Sequence, residues 1–214
     1  MADAMVTELL RRRPESPAES LGVDVAANTP APLFQWLVTS LLVSAPISSA
    51  LAMKAAHALI DAGLTTPEKM RDADWEERVK LLNESGYARV DEKTSTQLAE
   101  LSEAVLDDYG GDLRKLREAA EHDPAKIRRR LKDFKGIGDV GADVFCREAQ
   151  RAWDELFPFA DAKALEAAEK LGLGADAEAL ADKVDRREDM PRLLSALVGA
   201  DLSDELEEIA AAAR

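Results

Sequence analysis

Apolar residues recur along this chain at intervals of three and four, and runs of β-branched residues are rare, so the pattern predicts helices throughout. Residues 1–13 read as a short amphipathic helix with Met5, Leu9 and Leu10 on one face, followed by a connector that Pro14, Pro17, Pro30 and Pro32 keep from being continuously helical. The next pattern, Leu33, Phe34, Trp36, Leu37, Leu41 and Leu42, is apolar almost all round, which places that helix at the centre of a bundle. Ser44 is positioned to cap the following helix, with Pro46 in its first turn, Leu51, Ala52, Ala55, Ala56, Leu59 and Ile60 on its buried face, and its end near Gly63. Thr66-Pro67 opens a short helix, and Asp74 with Glu77 reads as an acidic capping box ahead of Trp75, Val79 and Leu82, up to Gly86. A long helix carries Leu98, Leu101, Val105 and Tyr109 and stops at Gly110-Gly111, and Leu113, Leu116 and Ala120 form a shorter one. The last patterns are Ala164-Leu165-Ala168-Leu171, Ala177-Leu180-Val184, Leu193-Leu194-Leu197-Val198 and Leu202-Leu206-Ile209.

Between these two groups lies the stretch with the most specific signal, Lys126 to Trp153. Asp123 can accept from the free amides of a first turn and Pro124 presets the backbone there, so a helix begins at that point. It stops at a hairpin, where Gly136 and Gly138 allow left-handed or crowded backbone and Ile137 turns inward as an anchor. A second helix starts near Asp139, with Gly141, Phe145, Ala149, Ala152 and Leu156 on one face and Asp143, Arg147, Gln150 and Asp154 largely off it. Free amides and the positive end of a helix dipole suit a phosphate oxygen, and glycines let a nucleic-acid backbone come close.

Composition supports an all-helical protein, since glycine and proline are sparse while alanine and leucine are abundant. At 214 residues the chain can bury a core as one large or two small lobes. The net charge of −14 works against DNA binding if averaged over the surface. Its distribution changes the picture. Lys126, Arg128, Arg129, Arg130, Lys132 and Lys135 fall within ten residues that hold a single acid, Asp133, with Arg114, Lys115 and Arg117 before them and Arg147 and Arg151 after. Basic density therefore sits at the hairpin, although a solvated helix face has the same composition. The single Cys146 excludes an internal disulfide and any multi-cysteine metal site, and His57 and His122 sit in no recognisable catalytic motif. No apolar run is long enough to span a membrane and the N-terminus lacks the order of a secretory signal, so a cytoplasmic chain is expected.

Taken together, the hairpin, the following Phe157-Pro158-Phe159-Ala160-Asp161 loop and helix, the Pro32–Ala45 segment and the Gly86-Tyr87 turn with Lys93 resemble the helix-hairpin-helix DNA glycosylases of the endonuclease III and 3-methyladenine glycosylase type. The resemblance covers residues 30 to 172. It implies a two-lobed helical fold, with residues 30–156 as a barrel lobe containing the hairpin motif (123–156) and residues 1–29 plus 157–214 as the second lobe. It further implies double-stranded DNA as partner, gripped by Arg130, Lys135, Gly136, Ile137, Gly138, Val140 and Gly141, with Asp161 as the catalytic carboxylate. A monomer is expected.

Breaking an N-glycosidic bond places positive charge on the sugar, so a nearby carboxylate stabilises that state and can steer a water, and a helix start keeps such a carboxylate ionised. Three departures refine the expectation. Val140 stands where the glycosylase-lyases carry a Schiff-base lysine, which excludes lyase chemistry by that route. The four-cysteine loop of an iron–sulfur cluster is missing, so no cofactor is expected. Pro46 follows Ser44-Ala45 where relatives carry a polar side chain that fills the gap left by an extruded base. For the base pocket itself, Tyr87 and Trp36 are the candidates. The sequence thus points to a monofunctional DNA glycosylase, with a non-catalytic DNA-binding protein of the same fold as the alternative and a protein–protein adaptor as a third class.

Overall fold

The computed structural model describes residues 2–213, and within them every regular element is helical; Met1 and Arg214 lie outside the described residues. In chain order the helices are α1 (Ala2–Arg12), α2 (Pro17–Ser20), α3 (Pro30–Ser44), α4 (Ser49–Asp61), α5 (Pro67–Asp72), α6 (Trp75–Glu84), α7 (Asp91–Tyr109), α8 (Leu113–Ala119), α9 (Pro124–Asp133), α10 (Asp139–Ala149), α11 (Ala162–Lys170), α12 (Ala177–Ala181), α13 (Asp189–Leu202) and α14 (Leu206–Ala212). Short 3-10 turns lie at Val25–Ala27 and Asp154–Leu156. The chain divides into two compact units, Leu21–Phe145 and the combination of Met1–Ser20 with Cys146–Arg214, so the division falls inside α10.

In the unit formed by residues 21–145, α3 is the central helix, as its all-round apolar pattern requires. Leu33, Phe34, Trp36, Leu37, Val38, Leu41 and Leu42 are buried along it. The two polar residues in that run, Thr39 and Ser40, are buried too, and their hydroxyls donate back to the carbonyls of Gln35 and Trp36 at 2.8 Å. Satisfying the hydroxyls inside the helix removes the cost of burying them. Arg78 is buried as well, and its guanidinium donates to the carbonyls of Ser95 and Met70, tying α6 to α7 and α5.

The helix boundaries mostly follow the local chemistry. Thr66 and Asp123 accept from the amides of Lys69 and Lys126, and Gly110 ends α7 in left-handed backbone (φ 58°). Two starts differ from expectation. Ser44 closes α3, its hydroxyl donating to the Leu41 carbonyl at 2.8 Å, and Ser48 caps α4 instead, so Pro46 lies in the connecting loop. Asp74 does precede α6, but its carboxylate makes no capping bond.

In the second unit, α1 packs on α13 and α14, and α11 packs on α13. Val6, Leu9, Ala164, Ala168, Leu180, Leu193, Leu194, Leu197 and Ile209 form its core. Full burial of Leu9 makes α1 an integral part of this unit, and truncating such a leucine to alanine costs about 2–5 kcal/mol. Arg13 adds a paired hydrogen bond to Glu205 (2.9 and 3.0 Å) at the start of α14. The helix expected to run through Ala152 and Leu156 instead ends at Ala149, because the fully buried Trp153 takes extended backbone (φ −112°, ψ 102°) ahead of the 3-10 turn.

Candidate nucleic-acid interface

The hairpin is built from the inside outward. Ile127 and Leu131 bury one face of α9, and the chain leaves that helix at Phe134, whose carbonyl accepts from the Ile137 amide at 3.0 Å. This turn requires φ +96° at residue 136, a region only glycine occupies without strain. A Cβ there would also lie 2.8 Å from Gln97 Nε2 and 3.1 Å from Leu41 Cδ1. Ile137, 4 % exposed, is the anchor. Gly138 is different: its φ is not positive, it faces solvent, and a Cβ would meet nothing within 4 Å. Its lack of a side chain therefore relieves no contact inside the protein. The amides of Gly138, Asp139 and Val140, at the start of α10, have no acceptor among the described residues, and Val140 is 47 % exposed beside them.

Gly141, expected to face DNA, is buried. A Cβ on it would sit 3.3 Å from Ile137 Cγ2 and 3.4 Å from the Ser40 carbonyl, so this glycine serves the close packing of α10 on the hairpin anchor and on α3.

Most of the basic residues around the hairpin are already engaged. Arg128 pairs with Asp143 at 2.7 Å and with Asp139 at 3.0 Å, Lys132 with Asp139 at 2.8 Å, and the exposed Lys135 with Glu100 at 2.7 Å. Arg130 donates to the Ala119 carbonyl at 2.9 Å. Hydrogen bonding and attraction from Lys132, then Arg128, hold the Asp139 carboxyl below the usual carboxylate range. Asp139 thus sits, ionised, at the helix start where a phosphate would bind, balancing two of the cations that would receive it.

Asp161 caps α11, with Oδ1 accepting from the Ala164 amide at 3.3 Å. Its other oxygen, Oδ2, accepts two hydrogen bonds from Arg147, from Nε at 2.9 Å and from Nη2 at 2.7 Å. The side chains of Arg147 and Asp161 are 10 % and 5 % exposed. The loop leading to Asp161 is held by Gln150, which donates to the Phe159 carbonyl (3.2 Å) and accepts from its amide (3.1 Å). Arg187 lies over the Phe157 ring, 5.1 Å from its centroid. Arg147 and Gln150 escape sequence reading because Arg147 lies off the apolar face of α10 and Gln150 just past its end, yet both are buried. The available signal was two polar residues three apart just ahead of a proline loop.

Neither base-pocket candidate has a face for a base to stack on. Tyr87 is fully buried, its hydroxyl donates to the Leu42 carbonyl at 2.8 Å, and burial pushes its phenol up to about 12. Trp36 is 1 % exposed and its Nε1–H is shared between the carbonyls of Val144 and Phe145, both at 3.3 Å. Both are core residues whose polar atoms are satisfied internally. Among the described residues no helix is long and apolar enough to cross a membrane.

No protein-family model matches this sequence. No curated protein matches it either. Solved structures do. The fold is similar to that of an endonuclease III–DNA covalent intermediate trapped with an estranged adenine, with a TM-score of 0.52 and 17 % identity over 91 % of this chain and 82 % of that one. It is also similar to a non-covalent endonuclease III–DNA complex, with a TM-score of 0.54 and 16 % identity over 91 % of this chain and 81 % of the other. The chain has an all-α, endonuclease III-like fold.

Proposed function

We propose that this chain binds double-stranded DNA through the Phe134–Asp139 hairpin and that it does so without excising a base. The observation that carries the binding reading is Gly138, an exposed glycine whose missing side chain relieves no internal contact, placed beside three amides that lack an acceptor. Such an arrangement suits a close-approaching phosphate. Both structural neighbours are endonuclease III proteins solved with DNA, which supports the same partner here.

Base excision receives less support. An excising carboxylate has to reach the sugar, and Asp161 has both oxygens occupied in a nearly inaccessible pair. Val140 supplies no amine, and Tyr87 and Trp36 line no pocket. The second reading, a monofunctional glycosylase acting through Asp161, is favoured by that residue's place at the helix start that follows the hairpin helix and its proline loop.

Release of free base from duplexes carrying alkylated, deaminated and oxidised bases separates the two, with binding measured in parallel. Binding without release is the expected result for the wild type and for Asp161→Asn. Release by the wild type that Asp161→Asn abolishes, with binding intact, would replace the proposal with the second reading. Borohydride should trap no covalent adduct in either case.

A further inference from the structure

Two carboxylates of the second unit share one arginine and are served in opposite ways. Glu19, on α2, accepts four hydrogen bonds: from the Ser16 amide at 2.8 Å, from Arg151 Nη1 at 2.9 Å, and from Arg192 Nε and Nη2 at 2.9 and 2.6 Å. Glu148, near the end of α10, accepts none. Its side chain is 1 % exposed and both oxygens are sealed from water; the Ser16 hydroxyl and Ala18 amide stand over it without the geometry of a hydrogen bond. Arg151 Nε lies 3.3 Å from Glu148 Oε2, yet this nitrogen and Nη2 are buried and lack an acceptor. Arg151 has thus committed one nitrogen to Glu19 and holds another, unbonded, beside Glu148.

An ionised carboxylate removed from water gathers donors, as Glu19 does, because a buried charge left unpaired is far more costly than a neutral group. Neutral Glu148 makes no such demand. Burial disfavours its charged form; Arg151, just past the end of α10, opposes that, and Glu19 on the covering turn reinforces it. From α13, Arg192 reaches the cluster through Glu19, with Asp189 behind it. Burial works against ionised Glu19 and Asp189 too, but hydrogen bonds from Arg192 and Arg151 hold the first low, and those from Arg186 and Arg192 the second. Residues 1–20 and 146–214 contain no histidine. Within this cluster Glu148 is therefore the group left to titrate between about pH 5 and neutrality.

We propose that Glu148, Arg151, Glu19 and Arg192 form a proton-operated latch on the Ser16–Ser20 turn. Glu148 is neutral while the turn is seated; on releasing its proton to solvent it draws Arg151 away from Glu19 and loosens the turn. Arg192 stays on Glu19, and buried Val6 and Leu9 keep α1 in its core in both states.

Three amides read the latch directly: Ser16, held by the Glu19 carboxylate, Glu19, held by the Ser16 hydroxyl, and Ser20, held by the Ser16 carbonyl. Their hydrogen exchange is measured in the full chain, wild type and Glu148→Gln, from about pH 5 to about pH 7.5, corrected for intrinsic base catalysis and referred to Leu193 and Leu194 in α13. The Glu148 carboxyl carbon of the wild type is titrated by NMR over the same range and below it. Protection of the three wild-type amides should fall about tenfold as pH rises, Glu148→Gln should show no such fall, and the Glu148 carbon should titrate above 4.5. Wild-type protection indifferent to pH, or a fall that Glu148→Gln reproduces, would overturn the latch. A Glu148 carbon that titrates at or below 4.5 would overturn it as well, and that measurement needs only the wild type, so it decides even where Glu148→Gln fails to fold.

Discussion

The Arg147 guanidinium places two of its nitrogens on one oxygen of Asp161, at 2.9 and 2.7 Å, with the pair almost wholly removed from water. This contact fixes the loop between α10 and α11 and occupies the carboxylate in the same act. A buried pair of this kind contributes little over an apolar replacement, but leaving one partner alone is costly.

Arg147→Met should therefore destabilise the protein by about 3 kcal/mol, and adding Asp161→Asn should recover most of that, since asparagine still caps α11. Urea unfolding of the single and double variants measures the difference. Equal losses in both would show that the pair is not the source.

The two hairpin glycines should respond oppositely. Gly136→Ala meets both a positive φ and Gln97 at 2.8 Å, and should cost about 1–3 kcal/mol in thermal or urea unfolding. Gly138→Ala enters open space and should leave stability within about 0.5 kcal/mol of wild type.

Asp139 is paired with Arg128 and Lys132 at the start of α10. Asp139→Asn frees Lys132, leaves Arg128 on Asp143 alone and removes a negative charge from the phosphate position, so duplex affinity should rise roughly threefold to tenfold at low salt. The same change should lower stability only slightly, through the lost helix-dipole interaction. Weaker binding by this variant, measured by fluorescence anisotropy, would contradict the picture.

Burial disfavours the charged form of Glu19, but hydrogen bonds from Arg192, Arg151 and the Ser16 amide outweigh it and hold its carboxyl well below its ordinary 4.5. A carboxyl lowered by folding stabilises the native state above its unfolded value and loses that contribution as pH falls toward the folded one. Glu19→Gln should therefore cost about 2 kcal/mol at neutral pH, and the two stability curves should converge below pH 4.5. Glu148 runs the other way, because near-complete burial pushes its carboxyl up despite Arg151 at 3.3 Å. Glu148→Gln should gain on the order of 1 kcal/mol at neutral pH and lose that gain as pH falls toward 4.5.

Local chemistry made much of the fold legible. Asp123-Pro124, Thr66-Pro67 and Gly110 mark their helix ends with short-range hydrogen bonds or backbone freedom that depend on neighbours in sequence alone. Ser44 misled because Ser48 offers the same hydroxyl four residues later, and only packing decides between them. The hairpin's residues were readable, but the division of labour among its three glycines was not, since Gly136 and Gly141 answer to Gln97, Leu41 and Ser40 on distant helices. Arg147 and Asp161 are fourteen residues apart with a loop between them, and no periodicity announces such a pair. The aromatic side chains of Tyr87 and Trp36 suit a pocket and a core equally, and burial alone assigned them to the core.

The most direct test of the central claim is duplex-DNA anisotropy with wild type and Gly138→Val, in protein shown to be folded, from about 50 to about 200 mM salt. The account predicts that the wild type binds, with affinity falling roughly tenfold or more across that range, and that Gly138→Val loses most of its affinity with unchanged thermal stability. Equal binding by the two proteins, or a wild-type affinity indifferent to salt, would contradict a phosphate contact at the hairpin.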